Sequence, residues 1–153
     1  MTHEFRFCPS CAAPLALASQ LEDGGYKARL RCTACDFTHW NNPTPVLAAV
    51  IEYQGKVLLA RNAAWESRMF ALITGFMEAG EPPQQGIARE IKEETNLDAT
   101  ALSLIDVYDF QRMNQLIIAY HAVCTGEVSL SPELVDYRLR GFEKLHVCPA
   151  APG

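Results

Sequence analysis

The 153-residue chain has no long hydrophobic run. Its longest apolar stretch, Val46 to Ile51, falls far short of the roughly 20 residues that cross a bilayer as a helix, so no membrane partner is expected. The opening residues MTHEFRFCPS lack the apolar segment of a secretory signal, which points to a cytoplasmic location. Positive charge is also scarce. Thirteen Lys and Arg stand against 18 Asp and Glu, giving a net charge of −5 and a pI near 5.3, which argues against an extended nucleic-acid groove. No internal repeat or low-complexity segment occurs. With 49% hydrophobic residues the chain is globular, long enough for one ordinary core and a small appendage.

Cysteine is not scarce, and it is unevenly placed. Cys8-Pro-Ser-Cys11 and Cys32-Thr-Ala-Cys35 form two CxxC knuckles, the pattern of a ribbon holding one tetrahedral ion through four thiolates. Zinc is the expected ion, with iron as its rival. Disulfides suit a reducing compartment less well, and a thioredoxin-like role needs only one CxxC beside a βαβ unit. A segment this small has almost no core, so the metal is expected to supply its folding energy. Cys124 and Cys148 are expected to be unpaired, Cys124 as a core residue of an apolar strand. The expected organisation is a ribbon over 1–38, a linker over 39–45 marked by two prolines and two asparagines, and a second domain over 46–153. Strands are expected at Tyr26 to Arg31, following an Asp23-Gly24-Gly25 turn, and at Val46 to Tyr53 and Lys56 to Ala60, flanking Gln54-Gly55. Others are expected at Phe70 to Thr74, Leu102 to Phe110, Gln115 to Cys124 and Tyr137 to Phe142, with a turn at Gly126.

The densest information lies in Gly75 to Leu97, GFMEAGEPPQQGIAREIKEETNL. Pro82-Pro83 suits the first turn of a helix, and Ile87, Ala88 and Ile91 form its core-facing stripe. The same helix carries Glu90, Glu93 and Glu94 side by side, where like charges repel, and it puts the last two at the negative end of the macrodipole. Breaking two helix rules at once suggests function, because a bound cation turns both penalties into attraction. A solvated acidic face with Arg89 and Lys92 as partners is the plain alternative.

The spacing resembles the Nudix box: Gly75, Glu81, Arg89-Glu90-Ile91, Glu93-Glu94 and Leu97 match, while Asn96 stands where glycine is usual. Asparagine is the commonest substitute for the left-handed conformation that glycine supplies there. The resemblance implies a Nudix α/β (α+β) domain, an α/β/α sandwich with a mixed sheet, behind the small four-cysteine zinc ribbon. It implies Mg²⁺- or Mn²⁺-dependent hydrolysis of the pyrophosphate bond in a nucleoside diphosphate linked to another moiety. By resemblance Glu90, Glu93 and Glu94 bind these ions, a carbonyl of Thr74 or Gly75 adds a ligand, and Arg89 orients the glutamates. Glu81 steadies the loop-helix junction, and the general base is left between Glu94 and Glu133.

A zinc ribbon followed by this domain, together with Ala71-Leu72-Ile73-Thr74-Gly75-Phe76, is similar to the NADH diphosphatases and their zinc-ribbon relatives. By that likeness Phe76 stacks on a base or nicotinamide ring, and Glu133 of Ser131-Pro132-Glu133 is a fourth carboxylate ligand, with Asp136 the weaker substitute. The serine, glutamine, proline and tryptophan run of NADH diphosphatases is replaced by Val107 to Asn114, which leaves NADH, FAD and ADP-ribose open as substrates. Tyr108 and Phe110 are candidate ring-stacking residues, and Arg112 is a candidate phosphate contact.

The expected partner is a small nucleotide-type substrate. Two further readings stay open: a ligand sensor of the ADP-ribose type that does not cleave, and hydrolysis of NAD-capped RNA with Arg6, Lys27, Arg29 and Arg31 as the RNA contact. The second is less favoured than a structural ribbon. The tail Val147 to Gly153 is unsuited to the helix that normally closes such a sheet, so either a second copy covers that face, a homodimer being the expectation, or the surface stays open.

Overall fold

Gly24 and Gly25 both adopt positive φ, 87° and 118°, and between them turn β1 (Leu15–Glu22) back onto β2 (Gly25–Cys32). The computed structural model describes residues 5–66 and 68–145. It divides into two units, Met1–Asn42 and Pro43–Gly153. The first is a three-stranded sheet in the order β1-β2-β3, with β3 being Thr38–His39. β1 was not expected from its sequence. Its LALASQLE opens on four apolar residues without a period-two alternation, and the strand faces solvent, with Leu17 and Leu21 about 70% exposed. Cys8 and Arg31 are the only buried residues of this unit among those described.

The expected linker is partly strand, because His39 pairs with Leu30 and Thr44 begins β4 (Thr44–Tyr53). β4 is the spine of the second unit. It runs parallel to β8 (Gln115–Thr125) on one side and pairs antiparallel with both β5 (Lys56–Asn62) and β6 (Ile73–Phe76) on the other. β7 (Asp98–Phe110) and β9 (Leu134–Arg140) complete a mixed sheet in the order β7-β8-β4-β5-β9. The strand expected at Phe70 to Thr74 starts three residues later and ends two later. Ala71 makes only an isolated bridge to Ala60, while Ile73–Phe76 finds a full partner in Val46 to Ala49, so Gly75 sits inside a strand rather than after one. The last strand likewise starts and stops earlier than expected, since Phe142 opens a 3-10 turn.

α1 (Pro83–Thr95) crosses one face of this sheet. Extended Pro82 precedes Pro83 at the first helical position, and Asn96 ends the helix in the left-handed conformation at φ 63°. Ile87 and Ile91 are fully buried with Leu47, Ala49 and Ile51 in the core cluster. Ala88 is only half-buried, and buried Gly86 takes its expected place, because a Cβ there would press on the Leu47 side chain. Cys124 belongs to the core, where burial lifts its thiol to about 11. Among the described residues α1 is the only α-helix, and no helix is long and apolar enough to cross a membrane. The tail containing Cys148, on which the missing closing helix was argued, lies outside the described residues.

Candidate active site

The first unit gathers its four cysteines to one point. Sγ of Cys8 and Cys35 lie 3.6 Å apart, those of Cys11 and Cys32 3.4 Å, and all four lie within 4.8 Å of one another. A tetrahedral ion with bonds of about 2.3 Å asks for edges of about 3.8 Å, so the set fits zinc. Backbone amides turn toward the sulfurs: Ser10 donates to Cys8 at 3.4 Å, and Ala34 and Cys35 donate to Cys32 at 3.3 Å. The Ala34 amide is the main reason the Cys32 thiol falls to about 6. The Phe37 amide pulls Cys35 down as well, but its bond to Cys32, with partial desolvation and the neighbouring Cys8 and Cys11 thiols, outweighs that pull and lifts it to about 12. Four adjacent thiols cannot all ionise without a cation among them.

The basic cluster considered for RNA is partly consumed within the ribbon. Arg29 and Arg31 both pair with Glu22 at 2.9 Å, and Arg29 lies over the Trp40 ring, 4.9 Å from its centroid.

In the second unit, α1, β6 and the loop before β9 bound a cleft of about 590 Å³. Thr74, Gly75, Phe76, Arg89, Glu90, Glu93, Glu94 and Glu133 all line it. So do Val46, Glu78 and Gln115, which the sequence reading did not single out. Gly75 is required by contact, since any Cβ there would overlap the Glu90 carboxylate. Arg89 is the hub of the wall. Its Nε and Nη2 donate to Glu81 at 2.9 and 2.7 Å, its Nη1 donates to Glu90 at 2.9 Å and Glu93 at 3.1 Å, and Nη2 also reaches the Phe76 carbonyl at 3.2 Å.

Two of the three carboxylates bonded to this arginine shift in opposite directions. Glu81 takes two of its N–H bonds plus the Glu78 amide and is held at about 2. Glu90 is pushed above the ordinary glutamate range because burial, with Glu93 and Glu94 nearby, outweighs its single Arg89 bond. A half-buried carboxylate that its neighbours leave short of positive charge suits a cation. The donors are all hard oxygens, the chemistry of Mg²⁺ or Mn²⁺. They line a wall rather than a point: among the described residues the four cysteines are the only group of three or more such side chains close enough together to share one ion.

The loop carrying Glu133 is fastened to the end of α1. Ser129 N–H donates to the Thr95 carbonyl at 2.9 Å and Ser131 N–H to the Glu94 carbonyl at 3.0 Å. Asn96 Nδ2 donates to the Glu127 carbonyl at 3.2 Å, and Ser131 Oγ donates to Glu94 Oε2 at 2.7 Å.

Phe76 is 60% exposed and so is no core residue. It ends a row across four strands, Tyr108, Ile117, Val46 and Phe76, whose paired positions put the side chains on one face of the sheet. Phe110 lies opposite Gln115 on that face but does not line the cleft, nor does Arg112, which sits in the 3-10 turn Gln111–Met113.

A family described as "NUDIX domain" matches residues 42–152, and a zinc-ribbon family described as "Nudix N-terminal" matches residues 6–41. The chain is 29% identical over 157 residues to the NAD-capped RNA hydrolase NudC of Vibrio vulnificus, covering 99% of this chain and 56% of that protein. It is 30% identical to the protein of the same description from Vibrio parahaemolyticus, again over 99% of this chain and 56% of the relative. The chain thus spans about half the length of the curated relatives it matches. Among solved structures, a NUDIX hydrolase from Nitrosomonas europaea superposes with a TM-score of 0.74 at 26% identity, over 92% of this chain and 80% of that one.

Proposed function

The chain belongs to the Nudix hydrolase family, and from that premise we propose that it hydrolyses the pyrophosphate bond of a nucleoside diphosphate linked to another moiety, releasing a nucleoside monophosphate. The observation that carries this reading is the single cleft that brings Glu90, Glu93, Glu94 and Glu133 together beside an exposed aromatic side chain, Phe76. The relatives' description makes a nicotinamide-adenine dinucleotide the first substrate to try.

Glu90, Glu93 and Glu94, with Glu133 and a carbonyl of Thr74 or Gly75, would hold divalent ions of the Mg²⁺ or Mn²⁺ type. Such ions, when bound, neutralise the diphosphate and lower the pKa of the attacking water. Arg89 acts through the carboxylates, holding Glu90 and Glu93 while Glu81 locks the arginine to the turn before α1. Glu94 and Glu133 are the candidates for taking the proton of the attacking water. Phe76 offers its face to a planar ring at the cleft's rim, beside Val46 and Ile117. Tyr108, Phe110 and Arg112 lie at the far side of the same end of the sheet, where they suit the more distant half of a dinucleotide.

Two observations bear on assembly and on longer substrates. Leu17, Leu21 and Tyr26 share one exposed face of the ribbon hairpin, a surface suited to a second copy, so a homodimer is part of this reading. NAD-capped RNA is the second reading, favoured by the relatives' description but weakened by the loss of Arg29 and Arg31 to Glu22. Free thiols held for a metal suit a reducing compartment such as the cytoplasm.

The test is product release from NADH, NAD⁺, FAD, ADP-ribose and dinucleoside polyphosphates with Mg²⁺ or Mn²⁺, with Glu93→Gln as the blank. Cleavage of one of these to a nucleoside monophosphate supports the reading and names the substrate. Tight binding with no cleavage of any would replace it by a ligand sensor, and cleavage confined to capped RNA, with binding that weakens steeply in salt, would favour the second reading.

A further inference from the structure

The three glutamates of α1 are not held by the same group. Among these three, Arg89 bonds Glu90 and Glu93, whereas Glu94 is held by the Ser131 hydroxyl, 37 residues away in sequence, at 2.7 Å. We infer that Ser131 is a positioning residue for Glu94, fixing one carboxylate oxygen so that the side chain enters the metal site already oriented. The inference rests on the proposed role of Glu94 as a metal ligand.

Three features of the site support it. Glu94 stands in the last turn of α1, where the helix end disfavours a carboxylate and leaves a long, rotatable side chain without local support. A hydroxyl orients that carboxylate without neutralising it, unlike the guanidinium on Glu90 and Glu93, so its full charge remains for a cation. The hydroxyl is also rigidly delivered. The Ser131 amide bonds the Glu94 carbonyl at 3.0 Å, the Ser129 amide bonds the Thr95 carbonyl at 2.9 Å, and the Leu134 amide closes a turn on the Ser131 carbonyl at 3.0 Å. Glu133 lies inside that turn, so one short segment both positions one acid and supplies another. The backbone bonds do not depend on the side chain, so Ser131→Ala removes the hydroxyl and leaves the loop docked.

The experiment is Mn²⁺ binding followed by electron paramagnetic resonance, without substrate, on the full chain carrying Ser131→Ala, Ser131→Thr, Ser129→Ala or Glu94→Gln, with melting temperatures alongside. Groups that orient metal ligands typically contribute 10–100-fold to affinity. Ser131→Ala is expected to weaken Mn²⁺ by about 10-fold or more in that range. Ser131→Thr should restore near-native binding, and Ser129→Ala should leave it unchanged. In turnover assays the Mn²⁺ concentration for half-maximal rate should rise in Ser131→Ala, while KM for substrate at saturating metal stays in place. Native Mn²⁺ affinity in Ser131→Ala, beside a weakened Glu94→Gln, would overturn the inference alone. Equal losses in all three serine variants with lowered melting temperatures would also overturn it, in favour of a purely structural loop. Native affinity in Glu94→Gln would overturn the metal-site reading itself and the inference with it.

Discussion

In the ribbon, four sulfurs lie within 4.8 Å of one another, whereas in the cleft five glutamates share a hollow of about 590 Å³ with an arginine among them. The two arrangements stand on different foundations. The ribbon has no apolar core, only Cys8 and Arg31 buried among its described residues, so its strands converge on the sulfurs and a bound ion is expected to supply its folding energy. The cleft is raised on Leu47, Ile51, Ile87 and Ile91, all fully buried, which keep the sheet and helix together whatever the carboxylates hold. A metal that makes a fold needs its ligands brought to a point. One that joins a reaction is better served by a wall with room for substrate, where carboxylates are held singly by Arg89 and Ser131.

Removing metal should break the comparison most visibly. Stripping zinc with a strong chelator, or substituting Cys32→Ser, is expected to unfold the first unit while the second keeps its dispersed amide resonances, read in a two-dimensional NMR spectrum with zinc content measured in parallel. Structural zinc in such small units is worth about 10–16 kcal/mol, more than a ribbon without a core can replace. Loss of resonances from both units together would show that they do not stand separately.

Next in size are the acids of the cleft. Glu93→Gln and Glu94→Gln should each lower metal-dependent turnover by more than about 100-fold, beyond the loss typical of residues behind a ligand, while melting temperatures stay near native. Near-native rates in both would remove the glutamates from the chemistry. Gly75→Ala should strike the same wall through space, displacing the Glu90 carboxylate and costing about 1–3 kcal/mol of stability, measurable by denaturant titration together with loss of turnover.

The smallest effect separates two carboxylates of the second unit by acid. Glu81 is held at about 2 in the folded protein against about 4.3 in an unfolded chain, so its contribution is present above the latter value and is lost as pH falls toward the former. The melting-temperature difference between native protein and Glu81→Gln should be constant above pH 5 and shrink to nothing near pH 2. Glu90, shifted the other way, costs stability while charged, so Glu90→Gln should narrow its own deficit, or gain on the native protein, as pH rises from acid to neutral.

The helix of the site was legible because its stops are local: Pro82-Pro83 fixes where it starts, and Asn96 fixes where it ends. Strand positions were legible only where a turn set the register, as at Gln54-Gly55. β6 was misplaced because Ala71 to Thr74 reads as apolar and extended, while its true limits depend on which residues Val46 to Ala49 can pair. Gln115 and Ser131 were missed for a related reason. Ser-Pro-Glu announces a turn, but nothing local announces that its hydroxyl will meet a carboxylate from another element. Gly86 did leave a signal, since a glycine inside a helix is costly unless something must pack close, and here Leu47 does.

Asn96 stands where the box pattern ordinarily has glycine. Its backbone takes the conformation glycine would, at φ 63°, and its side chain adds a clasp to the Glu127 carbonyl that glycine has no atoms to make. Reverting this position to the family's usual residue would therefore ease the turn yet remove one of the bonds that fasten the segment carrying Ser131 and Glu133. A consensus-guided redesign would count that change as a repair, when in this chain the departure is part of the stitching.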